Sequence, residues 1–231
     1  MEDRIKSIFL KFGADVCGIA NVDRFAQAPQ GFHPTDVYKE CKSVVVFALG
    51  LPKGLNAVSP RIVYHRFNSM SLKQLDSIAM DAAKWIESLG GTAVPLPCDG
   101  PYDYWNSEAM EGRGIISMRH AAYLAGIGCM GKNTLIMNKR FGSMLNIGAV
   151  LTNLDLKSDP LHEELCIKNC RICLDACPQK ALNGVTVNQK LCRQHTYSTN
   201  ARGFEVCECN RCRVMCPWSA GARVGEYQAE K

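Results

Sequence analysis

The chain has 231 residues, 47% hydrophobic and 21% charged, a globular balance that excludes collagen-like and disordered classes. No apolar run reaches the roughly 20 residues of a membrane span. The best is SVVVFALGL at 43–51, and the charged N-terminus MEDRIKSIF lacks a signal-peptide core. The expectation is therefore a cytoplasmic protein with no membrane partner. The net charge of +5 taken alone would suggest a polyanion partner.

Residues 2–12 place Ile5, Ile8, Phe9 and Phe12 on one helical face. Val16 to Ala20 and Ser43 to Leu49 are short β-branched runs suited to buried strands. Ser71 and Gln74 read as a capping box. The apolar stripe that follows, from Leu72 to Leu89, closes at Gly90 and Gly91 and predicts a helix over 71–89. Residues 97–114, PCDGPYDYWNSEAMEGRG, read as a long functional loop or lid. A second helix is expected from Ser117 to Gly126, then a glycine-rich turn and strands at 135–137 and 144–152. The pattern predicts an α/β domain at 1–158 and, beyond LKSDP (156–160), a second domain at 159–231 governed by cysteine spacing.

Nine of the 13 cysteines lie between Cys166 and Cys216. A disulfide scaffold is normally short and secreted, so clustering in a chain of this kind points to metal. The first motif is Cys166-x3-Cys170-x2-Cys173-x3-Cys177-Pro178; the second is Cys209-x2-Cys212-x3-Cys216-Pro217, preceded by Cys192 and Cys207. One turn of backbone presents such thiolates to successive corners of an iron–sulfur cube but cannot surround it, and in two-cluster ferredoxins the cysteine before proline serves the other cluster. That logic assigns Cys166, Cys170, Cys173 and Cys216 to cluster I, and Cys177, Cys192, Cys209 and Cys212 to cluster II. Cys207 competes with Cys192 but stands in a cramped Cys-x-Cys spacing. Structural zinc is the competing reading, though zinc ribbons do not need the x2–x3–Pro runs. Two oxidised [4Fe-4S] clusters would add roughly −2 each and bring the net charge near +1, which removes the case for a polyanion.

Gly126-Ile-Gly128-Cys-Met-Gly131-Lys132 imitates both a dinucleotide fingerprint and a P-loop. Those motifs need a strand before the glycines and a helix after, and the P-loop needs Ser or Thr where this chain has Asn133. Nucleotide binding is therefore not expected here.

The run AAYLAGIGCMGKNTLIMNKRFGSMLNIGAVLTNLDL (121–156), followed by the double cysteine motif and CPW at 216–218, resembles the epoxyqueuosine reductase family, which is related to corrinoid-dependent reductive dehalogenases. GADVCGIA (13–20) and KSVVVFAL (42–49) are similar to its N-terminal region. The resemblance implies a nitroreductase-like, cobalamin-binding-like α/β domain fused to a bacterial-ferredoxin-like domain with two [4Fe-4S] clusters. Three departures modify it. Members acting on tRNA carry a helical-repeat C-terminal domain, whereas 15 residues follow Cys216, which counts against tRNA as substrate. Gly112, beside Glu111, stands where the family has a catalytic aspartate, and Cys129 stands where it usually has tryptophan.

Candidate proton donors are Glu111 and Asp103. Gly126, Gly128, Cys129, Gly131, Lys132 and Asn133 are candidate cofactor contacts, with Lys132 and Asn133 either bonding a cofactor's amide side chains or capping the next strand. Tyr104, with Tyr102 and Trp105, is a candidate cover for a planar ring or else an exposed loop aromatic. Cys17, Cys41 and Cys98 read as small buried hydrophobes. The five histidines read mainly as surface or core fillers. The functional expectation is an iron–sulfur reductase relaying single electrons from a low-potential donor, such as ferredoxin or flavodoxin, to a corrinoid, or failing that a flavin, or to a small-molecule acceptor. The alternative is a ferredoxin-like carrier that docks a partner redox enzyme.

Overall fold

The computed structural model describes residues 1–59 and 61–221. In chain order it contains α1 (Glu2–Lys11), β1 (Val16–Asn21), the single turn α2 (Pro34–Val37), β2 (Ser43–Gly50), α3 (Ile62–Glu87) and β3 (Ala93–Leu96). The short pair β4 (Tyr104–Asn106) and β5 (Glu111–Arg113) follows, then α4 (Met118–Leu124), β6 (Cys129–Met130), β7 (Ile136–Met137) and β8 (Leu145–Thr152). The cysteine-rich part holds α5 (Ile172–Asp175), α6 (Gln189–Thr196), β9 (Tyr197–Thr199), β10 (Glu205–Cys207) and α7 (Arg211–Val214). Among the described residues no helix is long and apolar enough to cross a membrane.

The central sheet runs β1-β2-β8-β3, and every pairing is antiparallel. Its middle strand explains the unbroken apolar run at 43–49. Val45, Phe47 and Leu49 pack with α1 and α3 on one face, while Val44, Val46 and Ala48 pack with α4 on the other. A strand covered on both faces has no polar side, so the alternation that marks a half-exposed strand is missing. The result is an α/β fold with helices on both faces of the sheet, as the sequence predicts.

The helix predicted over 71–89 starts nine residues earlier, at Ile62. Ser71 is not a cap: its hydroxyl lies inside the helix and donates to the Asn68 carbonyl (2.7 Å), a local back-bond that serine makes in helix interiors. The first turns were hidden because only Tyr64 among them is buried, in a small cluster with Leu51, Leu55 and Met144, while Ile62, Phe67 and Met70 are exposed. The loop at 97–114 carries the β4–β5 hairpin, paired Tyr104 to Arg113 and Asn106 to Glu111.

The chain leaves the sheet along β1. Asp159 accepts from Lys6 Nζ (2.7 Å) and from the Ile19 amide (2.9 Å), and its own amide donates to the Ile19 carbonyl (2.9 Å). Arg24 Nη1 donates to its carbonyl (2.8 Å). The carboxylate thus staples the proposed domain boundary to the first strand, and it raises the Lys6 pKa, chiefly through the hydrogen bond. Asp159→Ala leaves a strand amide and a half-buried ammonium without their acceptor. It is expected to cost about 1–3 kcal/mol, seen as a lower urea midpoint at unchanged slope.

Candidate cluster sites and the neighbouring cleft

Cys166, Cys170, Cys173 and Cys216 line one small cavity together with Lys132, Asn133 and Trp218. Burial pushes the Cys216 thiol up, and the nearby charges of Cys173, Cys166 and Cys170 push it further. Cys173 is raised by burial and then by Cys166 and Cys170. A second group forms around Cys212, pushed up to about 11 by burial first and then by Cys192, Cys209 and, more weakly, Cys177. Thiols gathered this way resist ionisation unless a cation compensates them. Yet among the described residues no three His, Cys, Asp or Glu stand close enough to hold a single metal ion.

Cys166, Cys170, Cys173 and Cys216 thus line one cavity, while Cys192, Cys209 and Cys177 lie near enough to Cys212 for their charges to raise it. Cys207 is raised by burial and by the charge of neighbouring Cys209, and it also packs into the apolar cluster of Leu51, Leu55 and Tyr64 under α3. Its amide donates to His65 Nδ1 (3.1 Å), and its thiol faces the Cys209 carbonyl (3.9 Å).

The glycine-rich turn between α4 and β7 faces these cysteine segments. Gly126 adopts φ 72°, and a Cβ there would strike the Pro160 carbonyl; one at Gly128 would strike the Met137 carbonyl. Its glycines therefore answer to close backbone packing, not to a phosphate. Lys132 donates to the carbonyls of Ile167 (3.1 Å), Lys168 (2.5 Å) and Cys170 (3.0 Å). Asn133 Nδ2 donates to the Cys212 carbonyl (3.0 Å). Buried Cys129 accepts from the Leu165 amide (3.2 Å) and packs beside Cys166 and Trp218. Gly131 donates its amide to the Leu135 carbonyl (2.9 Å), closing the turn.

A larger cleft of about 560 Å3 opens beside them. Phe32, Asp99, Tyr102, Gly112, Arg113, Arg119 and His120 line it, and α6 contributes Gln189 and Arg193. Tyr102 stacks on Trp105 with ring centroids 6.2 Å apart, and the Arg193 guanidinium lies over both rings at 5.3 and 5.2 Å. Gln189 clamps the hairpin: the Gly112 amide donates to Oε1 and Nε2 donates to the Gly112 carbonyl, both at 3.1 Å. A Cβ at Gly112 would lie 2.9 Å from the Tyr102 ring, so the hairpin in this position has no room for a side chain there.

Arg119 donates to the Thr134 carbonyl (2.7 Å) and hydroxyl (2.8 Å). Burial lowers its pKa, opposed by the charges of Cys192 and Tyr102. His120 is lowered as well, by burial and then by Arg119. A smaller pocket shares Arg119, Gln189 and Arg193 with the cleft and reaches Cys192 and Tyr197. Helix α6 thereby presents Cys192 from the same face as Gln189 and Arg193, which also line the cleft.

The expected proton donors sit elsewhere. Glu111 is bound to Arg113 Nε (2.8 Å) on the exposed hairpin, and Asp103 is exposed; neither lines the cleft. Tyr104 is exposed under the Arg113 guanidinium (4.8 Å), outside the cleft. Sequence reading missed Asp99, Arg119, His120, Gln189 and Arg193. Cys41 is buried as expected, whereas Cys98 lines the cleft with its thiol pushed up by burial and by Asp76.

This arrangement is the fold shared by epoxyqueuosine reductases and reductive dehalogenases. A structure of epoxyqueuosine reductase from Streptococcus thermophilus superimposes with a TM-score of 0.66 at 19% identity, over 96% of this chain and 68% of that one. A reductive dehalogenase, whose structure suggests a mechanism for B12-dependent dehalogenation, gives 0.71 at 21% identity over 98% and 33%. In sequence the chain is similar to the epoxyqueuosine reductase of Lactococcus garvieae, 31% identical over 170 residues, covering 68% of this chain and 42% of the relative. The chain spans less than half the length of the curated relatives it matches. No family model matches. The resemblance read from the AGxGxxGKNT run and the cysteine motifs is borne out by these relatives.

Proposed function

We propose that the protein is an iron–sulfur oxidoreductase in which two [4Fe-4S] clusters pass single electrons to a cofactor or substrate in the cleft. The observation that supports this reading is the cavity lined by Cys166, Cys170, Cys173 and Cys216, together with Cys192, which lies near Cys212 on the helix that also supplies the cleft wall. Four thiols spread around a cavity suit a cuboidal cluster, whose sulfur ligands sit wider apart than those of a single zinc. Cluster I would be held by Cys166, Cys170, Cys173 and Cys216, beside exposed Ile167 where an external donor docks. Cluster II would be held by Cys177, Cys192, Cys209 and Cys212, next to the cleft.

The cleft lies within the roughly 300–1,000 Å3 of ordinary ligand and cofactor sites. Its Tyr102 ring, backed by stacked Trp105, and its amide and guanidinium groups on α6 suit a planar, amide-fringed ring such as a corrinoid. A corrinoid would supply a reducible cobalt. The chain's own part is to present Tyr102, Gln189 and Arg193 to the ring, to exclude water with the clamped hairpin, and to offer protons from Asp99 or His120, which line the same space. Low-potential delivery is within reach, since protein clusters span about −700 to +450 mV.

Anaerobic purification with iron, sulfide, cobalt and flavin analysis tests the reading. About eight iron and eight sulfide per chain, visible absorbance and a spectral shift on adding cobalamin are expected; a colourless, zinc-loaded protein would overturn it. The carrier alternative draws on the side-chain-free Gly112 and the carboxylate of Glu111 tied to Arg113. It predicts full cluster content, no cobalamin response and no small-molecule turnover with an artificial reductant.

A further inference from the structure

Fixed positive charge is spread unevenly around the two sets of cysteines, and Arg119 is the clearest case. It stands on α4 and lines both the cleft and the smaller pocket that reaches Cys192. Two bonds to Thr134 tie its guanidinium down. Thr134 has φ 61°, a left-handed conformation that a β-branched residue rarely accepts and that persists only where its surroundings hold it. The side chain of the preceding Asn133 reaches the Cys212 carbonyl. One strained turn thus joins the Arg119 guanidinium to the segment of Cys212.

Two further guanidiniums lie beside the same cysteines. Arg213 follows Cys212 in sequence, is buried, and donates through Nη1 to the Tyr64 hydroxyl (3.2 Å). Burial pushes the Cys212 thiol up, and the Arg213 charge opposes that push. Arg193 shares the small pocket with Cys192 and is held by Gln189 Oε1 (Nη2, 3.2 Å) and by the Tyr102 and Trp105 rings. The cavity of Cys166, Cys170, Cys173 and Cys216 has one cation, Lys132, and three carbonyls already share its ammonium. The nearby carboxylates Glu164, Asp175 and Glu208 are exposed, where water and salt screen them.

The consequence is electrostatic. Reduction adds a negative charge, which a fixed cation in a poorly screened place stabilises, and local charge and burial set the potential of an iron–sulfur cluster. We propose that Arg119, with Arg193 and Arg213, raises the reduction potential of cluster II above that of cluster I, so that electrons collect beside the cleft. The inference rests on the two-cluster reading above. One electron moves at a time: the external low-potential donor loses it, the acceptor in the cleft gains it, and Arg119 exchanges neither electron nor proton. Arg119 is a positioning residue in this sense, acting through the cluster it faces.

Equilibrium redox titration of the anaerobically purified full chain, followed by low-temperature electron paramagnetic resonance, tests the order. Two one-electron steps are expected, and the higher one should be absent from Cys212→Ser. Arg119→Gln is expected to lower the higher step by about 59 mV, a factor of about ten in its equilibrium, and to leave the lower step in place. Arg119→Lys keeps the charge and should restore the unaltered value, which a residue needed only to brace Thr134 would not do. Arg193→Gln should move the same step in the same direction. Arg193 bonds nothing in the Thr134 turn, so this variant decides if Arg119→Gln loses iron. The proposal is overturned if Cys212→Ser loses the lower step, if removing the charges leaves both steps unmoved or moves both equally, or if Arg119→Lys titrates like Arg119→Gln. Protein that binds no iron fails the two-cluster reading itself, whereas iron-replete protein with unmoved potentials fails only this inference.

Discussion

Cys192→Ser is expected to lose about half of the protein's iron and acid-labile sulfide, leaving one cluster of about four irons, while Cys207→Ser retains the full complement. The two cysteines compete in the sequence because either could follow the first motif and complete the second group. Cys192 is near enough to the half-buried Cys212 to raise its pKa, ahead of Cys209 and Cys177. Cys207 sits against Leu51 and Tyr64, and its thiol is raised first by burial. A serine hydroxyl is a much poorer iron ligand at neutral pH than a thiolate, so a three-thiolate site releases its cluster. Neither substitution removes a fully buried side chain, so the fold survives and iron analysis with low-temperature electron paramagnetic resonance of the reduced protein can compare them. Iron loss from Cys207→Ser with retention in Cys192→Ser would hand the fourth position to Cys207. It would also detach cluster II from helix α6 and the cleft.

What the sequence made legible follows the range over which each signal acts. That Cys166, Cys170 and Cys173 face one cavity was readable because their spacing is local, and one turn of backbone fixes which of these thiols face the same way. The central strands were readable from the apolar run at 43–49, since burial on both faces leaves no polar position to interrupt it. The start of α3 was not, because its first turns pack almost nothing and Ser71 imitates a cap while bonding back to Asn68. The cleft was hardest. Its wall draws Asp99 and Tyr102 from a loop, Arg119 and His120 from α4, and Gln189 and Arg193 from α6. Single polar residues from distant segments leave no periodicity to read. The candidate donors Asp103 and Glu111 came from the right loop but stand outside the cleft, since the hairpin puts Glu111 on Arg113 and turns the backbone of Gly112 to Gln189.

Lys132→Met should lose cluster I selectively, the complement of the Cys192→Ser result. The lysine ammonium has three donors, and its bonds to Ile167, Lys168 and Cys170 gather the segment that carries Cys166 and Cys170. That segment has no helix or strand of its own before α5, so little else sets the direction of those two thiols. Hydrogen bonds to a charged group contribute about 1.5–3 kcal/mol each, and methionine fills similar space while supplying none. Cluster I is then expected to dissociate during gel filtration, with iron falling by about half, while the group around Cys212 keeps its own. Combining Lys132→Met with Cys192→Ser should leave a colourless protein. The opposite pattern, full iron with weakened cobalamin or flavin binding, would mean that Lys132 serves a cofactor's amide groups and that its three carbonyl contacts are not what holds the cluster segment. Lys132→Arg offers a finer test: a planar fork matches two parallel acceptors, not three carbonyls converging on one point. It should retain the charge yet release cluster I faster than the unaltered protein and more slowly than Lys132→Met.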